Sequence, residues 1–126
     1  MKEILLVGLG GGVGSIVRYK LSGLLLHRTL DWRFPAPTFV VNMLGCLAAG
    51  VLWALAEKHL IFSLDTRLLL FTGLLGGFTT FSAFGLETAF LLRRQEFAIA
   101  ALYVGLSVIC GIAIIWLTIA ALIPSR

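Results

Sequence analysis

The chain predicts an all-α membrane protein of four transmembrane helices, with the third helix broken. Three observations carry that fold class. Of its 126 residues 60% are hydrophobic and 13% charged, with a mean hydropathy of +1.04, whereas a soluble domain is about one quarter charged. Four apolar stretches, 4–26, 36–56, 68–92 and 97–123, each approach the ~20 residues needed to cross a bilayer. The third carries GLLGGFTTFSAFGLE, from Gly73 to Glu87, which is crowded with residues a plain membrane helix avoids. The connections, HRTLDWRFP, EKHLIFSLDT and RRQE, are short. A single transmembrane domain over 1–126 follows, with almost no protein outside the bilayer.

Charge and cysteines exclude several functions. The net charge of +4 comes from bases at span ends, where they favour anionic headgroups. They form no contiguous patch on a polar element, so nucleic acid is not an expected partner. Cys46 and Cys110 lie within apolar spans without CxxC spacing and read as small packing residues rather than a disulfide or metal site. The amino end resembles a signal peptide at Lys2 and Ile4–Val7. Glu3 interrupts its positive region, however, and Arg18 and Lys20 follow where the apolar core should end, so a retained first helix is expected.

The first span holds Gly8, Gly10, Gly11, Gly12 and Gly14. A dinucleotide fingerprint fails, because its last position falls on Val13 or Ser15. The pairs Gly8/Gly12 and Gly10/Gly14 repeat at four, the spacing that lets membrane helices approach closely. Lys20 can snorkel to the interface. Arg18, with its rigid five-donor fork, suits either a helix C-terminus or a vestibule that attracts anions.

Pro35 and Pro37 mark the start of the second span. Asn42, Gly45, Cys46, Ala49 and Gly50 then share one small face headed by an amide. Asn42 suits a hydrogen bond across a helix interface or donation to a passing anion. In the third span Gly73, Gly76 and Gly77 permit a helix break. An unwound backbone survives in hydrocarbon only when buried in protein or lining an aqueous path. Thr79, Thr80 and Ser82 add hydroxyls, and Glu87 is the only carboxylate within a span. Phe81 and Phe84, three apart, read as a packing pair or as ring edges that an anion can meet. In the fourth span Tyr103, Ser107 and Gly111 fall at i, i+4 and i+8 on one face. Trp32, Trp53 and Tyr103 fit interfacial positions.

Four spans put both termini on one side, with Lys2, Lys58, Arg67 and Arg126. Opposite lie Arg28, Arg33, Arg93 and Arg94, with Lys20 and Arg18 nearby. So weak a bias allows insertion both ways and supplies the partners for an antiparallel, dual-topology dimer with a two-fold axis in the membrane plane. No nucleophile–base pair stands out, so the chain is not expected to be an enzyme. What remains is a donor set of Asn42, Thr79, Thr80, Ser82, Tyr103 and Ser107.

GLLGGFTTFSAF, with VVN in the second span, resembles the small four-helix fluoride channels of the Fluc family over the whole chain. The resemblance implies passive, fluoride-selective export across a bacterial or archaeal cytoplasmic membrane, and so fluoride resistance. It implies a fluoride pore of Asn42, Phe81, Phe84, Thr80 and Ser82, with Tyr103 and Ser107 on a polar track. It also implies a structural Na⁺ at the dimer centre, held by the backbone carbonyls of Gly76 and Thr79. The partner would be an antiparallel copy or a paralogue. Arg18 and Glu87, from their own places in the spans, read as vestibule or structural residues. Ala83 departs from the usual TFSTF, and Gly111 stands where relatives can carry a second track serine. The rival reading is a small multidrug-type exporter that exchanges protons through Glu87.

Overall fold

A computed structural model describes residues 1–59 and 62–123; Arg126, one of the bases in the charge tally, lies outside the described residues. Four helical spans are long and apolar enough to cross a membrane: Lys2–Thr29, Ala36–Lys58, Leu64–Arg93 and Phe97–Leu122. The first and second helices run to Thr29 and His59, so the opening residues of the connections HRTLDWRFP and EKHLIFSLDT, His27 and His59 among them, are helical. The third span begins at Leu64, four residues before the apolar run, because Ser63 caps its start by accepting the Thr66 N–H at 3.2 Å. An apolar run marks where lipid begins, whereas a cap marks where the helix begins.

Within the third span the backbone changes form twice. Leu68–Leu75 is a π-helix, Gly76–Phe78 returns to α, and the second half runs from Phe81 to Arg93. Such widened turns in membrane helices often accompany functional sites. The break falls at Thr79 and Thr80, both extended (φ −84°, ψ 159° and φ −149°, ψ 117°). It therefore lies just beyond the three glycines expected to host it, all of which are helical.

Those glycines serve packing. The first helix lies along the first half of the third span, and the second lies along the fourth. A Cβ on Gly73 would stand 3.0 Å from Gly10 Cα, and one on Gly77 would stand 2.9 Å from Gly11 Cα. Gly10 and Gly14 meet the backbone at Leu69 and Leu74 as closely. Of the two expected pairs, Gly10/Gly14 makes this contact, while a Cβ on Gly8 or Gly12 would meet nothing within 4 Å among the described residues. The small face of the second helix divides likewise, with Gly45 against Thr79 Cγ2 and Gly50 against Thr118 and Ile115.

The second half of the third span closes on the fourth helix through Leu91, Ala100 and Tyr103, with Phe34, Phe39, Phe84 and Ile99 packed around them. Tyr103 is fully buried, so it belongs to the core of the bundle. The turn between these helices is a Schellman motif: Gln95 N–H bonds Leu92 O and Glu96 N–H bonds Leu91 O, both at 2.9 Å. Gln95 takes the left-handed position (φ 60°) usually given to glycine.

Candidate functional site

The break is held open by diverted hydrogen bonds. A continuous helix would give Thr80 N–H to Gly76 O and Ala83 N–H to Thr79 O. Instead Thr80 N–H goes to Asn42 Oδ1 at 2.9 Å, and Asn42 Nδ2 returns a bond to Thr80 O at 3.0 Å. Ala83 N–H goes to Thr80 Oγ1 at 3.2 Å, an N-cap that restarts the helix. Thr79 stays with the first half, its N–H and Oγ1 both donating to Leu75 O at 2.9 Å. Among the described residues, the carbonyls of Gly76 and Thr79 accept no hydrogen bond in their place. Gly77 O, by contrast, accepts from Arg18 Nε at 3.1 Å and Ser15 Oγ at 3.4 Å.

Of the two readings open for Asn42, the helix-crossing bond is made, and it lands on the break. Around it lies a hollow of about 260 Å³ lined by Asn42, Cys46, Thr79, Thr80 and Phe81. Cys46, expected only to pack, therefore also faces this hollow. Ser82 is exposed beside Thr80, their hydroxyls 3.4 Å apart. Gly111 is buried, its missing Cβ 3.3 Å from Cys46 Sγ and 3.5 Å from Met43 Cε, so a side chain there would press on the second helix.

Restarting the helix at Phe81 aims its aromatics. The rings of Phe81 and Phe84 lie 5.5 Å apart at 45°, and Phe84 lies 5.1 Å from Tyr103 at 58°. Phe81 is 83% exposed while Phe84 is half-buried. Beyond them Glu87 takes a proton donor on each oxygen, Thr38 Oγ1 at 2.6 Å and Tyr103 O–H at 2.7 Å. Phe34 meets Tyr103 edge-on at 5.3 Å. A second hollow, about 430 Å³, reaches this group from the end of the bundle carrying Trp32 and Arg33, and Thr38 and Glu87 line it. Ser107 lies one helical turn beyond Tyr103 and is half-buried.

Thr38, absent from the sequence-derived set, was within reach of it. It precedes Asn42 by four residues, so the polar face of the second helix begins one turn earlier than the small-residue pattern indicated. Ser15 left no such signal, because its role depends on Gly77 of another span. Among the described residues no group of three or more His, Cys, Asp or Glu could hold a metal.

Comparison with known proteins gives one consistent answer. Residues 5–119 match the family described as CrcB-like protein, Camphor Resistance (CrcB). The chain is 56% identical over 117 residues to the fluoride-specific ion channel FluC of Methylobacillus flagellatus, covering 93% of this chain and 91% of that one. A FluC of Nitratidesulfovibrio vulgaris is 43% identical over 93% of this chain and 94% of its own. A FluC of Flavobacterium psychrophilum is 43% identical over 92% and 93%.

Proposed function

This chain belongs to the CrcB-like family, and from that premise we propose that it is a fluoride-specific ion channel, passing fluoride passively through a membrane. The observation that carries this reading is the 56% identity to a fluoride-specific channel along nearly the whole of both chains. Fluoride is small and tightly hydrated, so its pore must replace water with donors in a passage too narrow for chloride, yet hold the ion weakly enough to release it. The break supports such a passage. Asn42 Nδ2 has one hydrogen on Thr80 O and a second to offer, and Thr80, Ser82 and Ser107 add hydroxyls. The edges of Phe81 and Phe84 carry positive quadrupole density into the same region. Tyr103 and Ser107 would continue the track along the fourth helix.

The exporter reading has less support. Glu87 is held between Thr38 and Tyr103, an arrangement that suits a fixed acceptor at the end of the pathway, and the relatives above share the name of a channel. The cell envelope that best fits the reading is a bacterial or archaeal cytoplasmic membrane, where passive export would lower internal fluoride.

The assembly we propose is an antiparallel dimer of this chain, or of this chain with a paralogue. Phe81, exposed on a protomer, would then gain a neighbour. The carbonyls of Gly76 and Thr79 fit a hard cation, because each has lost its helical donor and would otherwise stand unpaired in an apolar interior. They would hold a structural Na⁺ on the two-fold axis, two oxygens from each chain, and the ion would pin the broken spans together.

The test is flux. Liposomes containing only this protein and loaded with potassium fluoride should discharge fluoride once a potassium ionophore opens the counter-ion path, with chloride far slower. Equal rates for the two halides would sink the reading. Glu87→Gln should retain passive flux in a channel and abolish proton-coupled transport in an exporter.

A further inference from the structure

The first half of the third span ends on a carbonyl that another helix holds. In an uninterrupted helix Gly77 O would accept the Phe81 N–H, and Phe81 is where the second half begins. Gly77 O instead takes two donors from the first helix, Arg18 Nε and Ser15 Oγ. Resting on the channel reading, we propose that Arg18 is a positioning residue. It keeps the third span open by occupying Gly77 O, and it acts as a hydrogen-bond donor rather than as a charge that draws anions in.

The first helix is built to deliver this bond. Gly11, Gly14, Ser15 and Arg18 fall at i, i+3, i+4 and i+7 on one face. The first two carry the backbone contact to the third span, at Gly77 and at Leu74. With the helix axes fixed by those glycines, Ser15 and Arg18 reach the carbonyl one turn further on. The guanidinium bonds through Nε, the donor nearest its stem, so the side chain is committed to the backbone of the break. Asn42 performs the matching task from the second helix, taking the Thr80 N–H that would have bonded Gly76 O.

The two clamps together set which carbonyls are left. Gly77 O is consumed by Arg18 and Ser15, while among the described residues Gly76 O, Phe78 O and Thr79 O are left without their helical donors. Arg18 therefore also keeps Gly77 O out of any cation shell formed at the break. If it is removed, Gly77 O keeps only the longer bond from Ser15, and the Phe81 N–H can compete for it. Closing that bond turns the second half of the span and carries Phe81 and Phe84 with it.

Two substitutions separate donor from charge. Arg18→Gln keeps an N–H donor of moderate reach without charge, and Arg18→Met keeps a long stem with neither. Fluoride flux from liposomes should stay within about threefold of the parent for Arg18→Gln. It should fall at least about tenfold for Arg18→Met, the scale expected on losing a charge-assisted hydrogen bond, with poorer rejection of chloride. Amide exchange at Phe81 should slow at least about tenfold in Arg18→Met as the helix closes. The proposal is overturned if Arg18→Lys conducts like the parent while Arg18→Gln falls with Arg18→Met, since flux then follows charge. Unchanged Phe81 exchange in Arg18→Met overturns it too. If Arg18→Met does not assemble, the comparison of Arg18→Gln with Arg18→Lys decides alone. A parent protein that carries no fluoride would sink the channel reading, while the exchange measurement would still test the role of Arg18.

Discussion

Asn42 spends its amide twice on one residue, accepting from Thr80 N–H and donating to Thr80 O, and this pairing decides where the third span breaks. In Asn42→Ala both Thr80 groups lose their partner, at about 1–3 kcal/mol for each one left unsatisfied, so the N–H should return to Gly76 O. Fluoride flux should fall at least tenfold, since ~1.4 kcal/mol is a factor of ten; flux equal to the parent would show that the brace is dispensable. At this scale the sequence was informative about identity and silent about partners. Asn42, Arg18 and Glu87 stand out because polar groups at membrane depth are costly. Which of two roles each takes depended on a backbone atom or side chain elsewhere: Thr80 for Asn42, Gly77 for Arg18, and Thr38 and Tyr103 for Glu87. No spacing within one span encodes those meetings.

Among the elements, four helices and their order could be read from hydropathy alone, while the place of the break could not. Three glycines looked like the weak point because glycine tolerates unusual backbone. Every one of them is helical, and two threonines in ordinary extended geometry make the turn. Glycine has two uses, conformational freedom and absence of bulk, and here the second prevails. Gly10→Ala would drive its new methyl into Leu69 O and Leu74 N, where overpacking typically costs about 1–3 kcal/mol. Gly12→Ala would meet nothing within 4 Å among the described residues and should leave the fold of the protomer unchanged. Thermal unfolding in detergent separates them: a clear fall in Tm for the first and none for the second is expected. The 94–96 turn offers the opposite case. Gln95 sits at φ 60°, where a side chain costs roughly 1–2 kcal/mol, so Gln95→Gly should raise Tm, and a lowered Tm would mean that its side chain contributes something the backbone geometry does not reveal.

For the whole molecule, charge bears on the antiparallel assembly proposed above. The termini end of the bundle carries Lys2, which pairs with Asp65, together with Lys58 and Arg67. The far end carries Arg28, Arg33, Arg93 and Arg94. The positive-inside rule counts such bases near span ends, and neither end wins decisively, so insertion in both orientations remains open to the chain. Two-fold closure with an axis in the membrane plane then needs one copy of each orientation. Three lysines added within the 28–33 connection should fix one orientation, and that variant alone should lose fluoride flux. Three lysines added beside Lys58 should fix the other, with the same loss. Co-expression of the two variants should restore flux, because only the mixture supplies both partners. Full conduction by either variant alone would exclude the antiparallel assembly, since a population held in one orientation cannot form it.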